Sequence, residues 1–160
     1  MSQTKESIKS TYPLPVYNYR VTILDGDTPT VLGFSEVSGL AVEYEPVTYK
    51  HGWSFLMGSN IIPGMRKPIQ VTLKQGLTKN AEFLQNWLNK SYLEPWSITV
   101  KRDIIIDLCD EKGLPVVRWK LKKALPIKLE APMLDASSND VAIISMELIV
   151  ADLETDYHPS

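Results

Sequence analysis

Short segments in which apolar and polar residues alternate limit the possible fold more than any other feature of this sequence. Alternation predicts half-buried strands at residues 17–23, 69–74 and 142–150, each with one apolar face. Further strands are predicted at residues 31–40, 42–50, 97–107 and 117–122. Turn residues such as those at 25–27 and 110–113 separate neighbours at hairpin spacing, which favours antiparallel pairing.

One segment predicts a helix. Its apolar stripe has helical spacing and consists of Phe83, Leu84, Trp87 and Leu88. Thr78 or Asn80 is placed to cap its beginning, and Pro95 to end it. We therefore predict a mainly β fold, an antiparallel β-barrel or sandwich of about seven strands with one packed α-helix.

Length and composition fit one folded domain. The chain has 160 residues, of which 44% are hydrophobic and 22% charged, so it can bury an ordinary core. We expect a flexible N-terminal arm at 1–15, the β domain at 16–152 and a C-terminal tail at 153–160. No signal peptide or membrane-spanning segment is predicted, which indicates synthesis in the cytoplasm. The single cysteine, Cys109, excludes an internal disulfide.

An apolar, glycine-bearing segment at 51–66 shows neither strand nor helix periodicity, so we predict a loop. Its large apolar residues are Trp53, Phe55, Leu56, Met57, Ile61 and Ile62. Apolar surface of this extent usually marks a partner site. The alternative is that the segment folds back onto its own core.

Candidate catalytic and metal-binding groups are sparse. The only histidines are His51 and His158, which leaves no histidine cluster for a metal. Glu43 and Glu45 share a predicted strand face about 7 Å apart, a separation compatible with a pair of glycosidase carboxylates. No accompanying cleft pattern supports that role, so a solvated or interface face is favoured. We predict no enzyme activity, no metal and no cofactor.

A basic face is predicted on the strand near residue 120. Arg118, Lys120 and Lys122 point one way, with Lys101 on a neighbouring strand. This face could contact phosphate, although it lacks exposed aromatic residues on which bases could stack. The net charge of −2 gives no general attraction to nucleic acid. A solvated or ion-paired face is the alternative.

Several short motifs follow one another along the chain between residues 16 and 152. Their most informative positions are Phe34, Ser38, Gly39, Leu40, Pro63, Gly64, Gly76, Trp87, Trp119 and Asn139. Taken together, these motifs resemble the tail tube proteins of contractile phage tails and of phage-tail-like contractile injection systems.

The resemblance implies a β-barrel-like subunit that forms hexameric rings, which stack into a hollow conduit inside a contractile sheath. The implied partners are further copies of the chain, sheath and baseplate proteins, and effector protein or DNA cargo that is not held tightly. It implies no membrane insertion and a place in the assembled virion tail or injection particle, either throughout the tube or as a specialised ring at the baseplate end.

On this resemblance, the apolar segment at 51–66 becomes a contact between subunits or rings. Charged strand faces would line the lumen, and the candidates are Glu43, Glu45, Lys101, Asp103, Arg118, Lys120 and Lys122. The alternative function is a monomeric β-barrel that binds a ligand or nucleic acid through its basic face.

Overall fold

Ten strands and one helix are present in the computed structural model, which describes residues 13–50, 58, 60–77 and 81–159. The strands are β1 (Tyr19–Asp25), β2 (Thr28–Leu32), β3 (Glu36–Ser38), β4 (Tyr44–Tyr49), β5 (Asn60–Arg66), β6 (Ile69–Gly76), β7 (Arg102–Cys109), β8 (Pro115–Glu130), β9 (Ile143–Val150) and β10 (Asp152–Asp156). The helix α1 spans Glu82–Leu93, and a 3-10 turn spans Ile98–Val100. The predicted mainly β, antiparallel fold with one packed helix is confirmed, with more strands than the seven expected.

Strand β8 joins the two halves of the main sheet. Its first part pairs with β7 on one side and β10 on the other, whereas its last residues pair with β9. The five-stranded half therefore runs β2-β1-β7-β8-β10, and the four-stranded half runs β8-β9-β6-β3. At the change of partners Lys123 adopts a left-handed backbone with φ 54°, and its N–H donates to the Asp103 carboxylate at 2.9 Å.

The core lies between the two halves and follows the alternation in the sequence. The inward side chains of β1, β6 and β9 are buried, as predicted. They are Val21, Ile23, Ile69, Val71, Leu73, Ile144, Met146, Leu148 and Val150. Strands β7 and β8 add Ile104, Ile106 and Leu121 to the same cluster. Burial of these side chains is the main stabilising contribution to a fold of this kind.

Helix α1 packs against β8 through the predicted stripe, of which Leu84 and Trp87 are fully buried. The Trp87 indole N–H donates to the Val100 carbonyl at 2.7 Å, which attaches the helix to the 3-10 turn. The helix ends two residues before Pro95, as predicted. Ala81 occupies the N-cap position without a side-chain bond. Both predicted caps, Thr78 and Asn80, lie outside the described residues.

A buried arginine connects this helix to the β1–β2 turn. The Arg102 guanidinium lies 5.2 Å from the centroid of the Phe83 ring and 5.1 Å from that of Trp87. It forms an ion pair with Asp25 at 3.2 Å. Burial lowers the pKa of Arg102, and the nearby Asp25 charge opposes this shift. The guanidinium thus serves as a charged packing element against two aromatic faces.

Three predicted segments differ from the structure. The strand expected at 31–40 is interrupted, because the chain leaves one half of the sheet after Leu32 and enters the other at Glu36. The strand expected at 97–107 begins only at Arg102, after the 3-10 turn. The loop predicted for 51–66 is wrong for residues 60–66, which form β5. Cross-strand pairing with β4 stabilises that strand despite Pro63 and Gly64.

The end of the chain also contributes to the sheet. Strand β10 lies almost wholly within the segment expected as a C-terminal tail, and it pairs with β8 from Asp152 opposite Lys122 to Asp156 opposite Arg118. Its acidic residues therefore stand beside the predicted basic face.

Candidate assembly interface

Strands β4 and β5 form a hairpin that stands apart from the core. Among the described strands they pair with each other alone, and every residue in them except Gly64 is exposed. An isolated two-stranded hairpin is at best marginally stable in water, because it buries little apolar surface. Within the described part of the chain, this hairpin therefore lacks the cover that would stabilise it.

Apolar side chains occupy both faces of the hairpin. Val47 lies opposite Ile62 on one face, and Thr48 lies opposite Ile61 on the other. Ile61 is 71% exposed and Ile62 is 48% exposed. A strand pair that packs on one side alone would show polar residues on the other side. Ile61 and Ile62, two of the six predicted interface residues, are thus exposed on opposite faces, which indicates that both faces are available for contacts. The other four, Trp53, Phe55, Leu56 and Met57, lie outside the described residues.

A close backbone approach sets the shape of the hairpin. A Cβ atom at Gly64 would lie 2.6 Å from the Val47 Cγ2 atom and even closer to the Glu45 carbonyl oxygen. The register also shifts between Tyr44 and Pro46. Only glycine fits at position 64 with this strand spacing.

Two ion pairs secure the base of the hairpin. Arg66 donates to the Asp152 carboxylate at 2.7 Å and to the Ala151 carbonyl at 2.6 Å, which connects β5 to the β9–β10 junction. Its hydrogen bond lowers the pKa of Asp152. Lys67 donates to the Glu43 carboxylate at 2.8 Å. Glu43, a predicted lumen residue, thus takes part in anchoring the hairpin.

Acids compensate two residues of the predicted basic face, Arg118 and Lys122. Arg118 donates to both carboxylate oxygens of the buried Asp107, at 2.6 and 3.2 Å, and Arg20 reaches the same carboxylate at 3.3 Å. The hydrogen bond to Asp107 raises the pKa of Arg118. Lys122 pairs with Glu154 of β10 at 2.6 Å, and this bond raises the pKa of Lys122. These pairs reduce the attraction of Arg118 and Lys122 for phosphate, which weakens the support for the nucleic-acid alternative.

The seven predicted lumen residues do not share one face. Glu43 and Glu45 lie at the hairpin, whereas Arg118, Lys120 and Lys122 lie on the outer face of the five-stranded half. Lys101 and Asp103 line a separate cleft of about 420 Å³, together with Pro95, Trp96, Ser97, Ile98 and Lys123. We call this the Trp96 cleft. Trp96 is 95% exposed and Ile98 is 92% exposed, so its rim is strongly apolar.

The four-stranded half presents a polar outer face. Gln70 donates to Glu147 at 3.0 Å, and Lys74 pairs with Glu36 at 3.1 Å. Lys128 forms a further pair with Glu130 at 3.4 Å. These contacts pair the charges within the subunit, and the same face also exposes Ile143 and Ile149.

The motif residues serve mainly to build the fold. Phe34 and Trp87 belong to the core, and Trp119 packs against it. Gly39 has φ +87°, and a Cβ there would collide with the Gln70 carbonyl of β6. Gly64 shapes the hairpin, and Pro63 lies beside it in β5. Leu40 is half-buried, and the exposed motif positions include Ser38 and Asn139. Gly76 ends β6.

Neither a metal centre nor a membrane span is found in the described ranges. Within them, no group of three or more His, Cys, Asp or Glu side chains is placed to hold a metal ion. Likewise, no helix there has the length and apolarity needed to cross a bilayer.

Comparison with known proteins gives a consistent result. The family model for the T4-like virus tail tube protein gp19 matches residues 15–154. A chain from the sheath-tube complex of an extracellular contractile injection system, PVC, in its extended state is 29% identical, with a TM-score of 0.84 over 98% of this chain and 99% of that one. No curated protein matches the sequence significantly.

Two further structures come from tube ends. A chain in the PVC sheath/tube terminator is 29% identical, with a TM-score of 0.79 over 91% of this chain and 97% of that one. A chain in the anti-feeding prophage cap, which terminates the AFP tube, is 26% identical, with a TM-score of 0.78 over 92% of this chain and 93% of that one.

Proposed function

This chain belongs to the T4-like virus tail tube protein gp19 family, and from that premise we propose that it is a structural subunit of the inner tube of a contractile injection system. Six copies form a ring, and rings stack into a hollow conduit. The role is mechanical and needs no catalytic residue. The protein acts in the assembled particle.

The exposed hairpin carries this proposal. Its two apolar faces have no cover within the described subunit, and permanent interfaces between subunits are typically apolar. Neighbouring copies supply the missing cover in the assembled tube. Because the faces are opposite, the hairpin is inserted between partners rather than laid on one.

Similarity also suggests the other partners. The related PVC chain belongs to a sheath-tube complex, so we assign sheath contacts to the outside of the tube and terminator or baseplate contacts to its ends. The TM-score of 0.84 to the sheath-tube chain, against 0.79 and 0.78 to the two end proteins, favours a position along the tube. The conduit carries effector protein or DNA.

We assign the lumen to the half of the sheet that can continue into the next subunit. In the five-stranded half, β2 carries Pro29 and β10 carries alternating acids, two devices that discourage edge pairing. In the four-stranded half, the last residues of β8 pair with β9 on one side, and no described strand pairs with their other side. We therefore place the outer face of the four-stranded half, including Thr72 and Ser145, toward the lumen.

Electron microscopy of the purified protein tests the assembly. We expect six-fold rings and tubes from the wild type, and dispersed subunits from the double variant Ile61→Ser/Ile62→Ser. Both side chains are exposed, so the variant should keep the wild-type melting temperature. Val31→Ser, which removes a 60% exposed side chain from β2, is the matched control and should assemble. A wild type that remains monomeric at high concentration would refute the proposal.

Labelling of assembled tubes tests the lumen assignment against the residues predicted from sequence. Thr72→Cys should be protected from a bulky maleimide polymer, whereas Lys122→Cys should react. Cys109 is buried and provides a low background. Protection of Lys122→Cys together with reaction of Thr72→Cys would favour the lumen predicted from sequence.

A further inference from the structure

The Trp96 cleft and the hairpin have complementary properties. The cleft has an apolar rim formed by Trp96 and Ile98. Its lining carries two lysines, Lys101 and Lys123, and one acid, Asp103, whose carboxylate accepts the Lys123 backbone N–H. In the described part of the chain, neither lysine side chain forms an ion pair. The hairpin, in turn, combines apolar faces with an acidic residue, Glu45, that has no ionic partner among the described residues.

We propose that the hairpin of one copy docks into the Trp96 cleft of the next copy, with the Glu45 carboxylate facing the Lys101 and Lys123 ammonium groups. This inference rests on the proposed tube function and identifies the surface that receives the hairpin. It gives Glu45 and Lys101 a docking role in place of a position in the lumen.

Both the shape and the chemistry support this pairing. A cleft of about 420 Å³ has room for a few large side chains, and the hairpin presents them on protruding strands. Docking would cover Trp96 and Ile98, which are otherwise more than 90% exposed. Tryptophan is among the residue types that most often dominate binding energy when an interface covers them.

The contact joins two different surfaces, so it is heterologous. Such contacts do not stop at a pair of subunits but continue into closed rings or open filaments. A symmetric contact between two hairpins would instead give a dimer. The proposed docking therefore accounts for repeated assembly from one kind of subunit.

Charge reversal provides the test. Glu45→Lys places a positive charge against two lysines, and Lys101→Glu/Lys123→Glu places two acids against Glu45. Each variant alone should raise the concentration at half-assembly at least tenfold, since like charges at an interface oppose binding. Lys112→Glu, an equivalent reversal in the exposed β7–β8 turn, should leave assembly unchanged.

A mixture of the two variants gives the decisive result. The altered hairpin of Glu45→Lys matches the altered cleft of Lys101→Glu/Lys123→Glu, and the two unaltered surfaces match each other. Equal amounts should therefore co-assemble with alternating copies, at a concentration close to that of the wild type. Trp96→Ser should assemble poorly while keeping the wild-type melting temperature, because its side chain is almost fully exposed in the free subunit.

The outcomes separate the two proposals. Failure of the wild type to assemble would refute the tube function. The docking inference alone would be refuted if the wild type formed tubes and the single-surface variants also assembled normally. It would also be refuted if the wild type formed tubes but the mixture of the two variants did not recover assembly.

Discussion

Replacing Gly64 with alanine should separate assembly from folding. The added Cβ would lie 2.6 Å from the Val47 Cγ2 atom, whereas ordinary contacts begin at 3.4 Å, so that methyl group must move by about 0.8 Å. The Glu45 carbonyl oxygen is closer still and belongs to the backbone, so the paired strand itself must shift. Overpacking of this kind costs about 1–3 kcal/mol. We therefore expect about 5- to 150-fold fewer correctly formed hairpins.

The cost should appear in assembly and not in the stability of the subunit. Strands β4 and β5 contact each other far more than they contact the core, so the free energy of unfolding should change by less than about 0.5 kcal/mol. Sedimentation velocity over a range of concentrations measures assembly, and urea unfolding followed by tryptophan fluorescence measures stability.

Gly76→Ala is the matched control. No atom lies within 4 Å of the Cβ it would add, and its φ is not in the left-handed region. This control should assemble normally. The reasoning would be refuted if Gly64→Ala assembled at the wild-type concentration, or if it lowered subunit stability by several kcal/mol.

Three further predictions concern the anchors of the fold. The hydrogen bond from Arg66 lowers the pKa of Asp152, so the Arg66–Asp152 pair holds the hairpin fully above the ordinary aspartate pKa of about 4. This contribution is lost as the pH falls through the lower pKa of the folded state. Tubes should therefore disassemble in acid with this dependence, and Arg66→Ala should abolish the dependence. Asp107→Asn should lower the free energy of unfolding by about 2–4 kcal/mol in urea, because it leaves Arg118 without its carboxylate partner. Trp87→Phe removes the indole donor to a buried carbonyl and should cost about 1–3 kcal/mol by thermal unfolding, with a concentration of half-assembly unchanged at temperatures where the subunit is folded.

Much of the core could be predicted from sequence because alternation reflects burial directly. Strands β6 and β9 each pair with strands on both sides but bury one face, so their apolar residues recur at every second position. The apolar stripe on α1 could be predicted for the same reason, since one side of the helix packs on the sheet. In each case, packing against one core places the apolar residues at one regular spacing in the sequence.

Features that depend on distant contacts were not predictable in the same way. Strand β5 contains Pro63 and Gly64, which normally weaken strands, and exposure of both its faces removes the alternation. Asp107 reads as a surface charge, yet it is buried because Arg118 and Arg20 approach it from two neighbouring strands. The acids of β10 compensate the basic face only after a chain reversal that local sequence does not reveal.

The direct link between the hairpin and β6 determines how the subunit carries mechanical load. Only Lys67 and Pro68 separate β5 from β6, so a pull on a docked hairpin enters the subunit along β6. That strand is held by eight consecutive residue pairs with β9, from Ile69 opposite Val150 to Gly76 opposite Ile143. Tension along the strand loads these pairs together in shear, whereas a sideways pull would open them one at a time. A tube connected through such hairpins therefore depends on the β6–β9 pairs to pass tension into the core of each subunit.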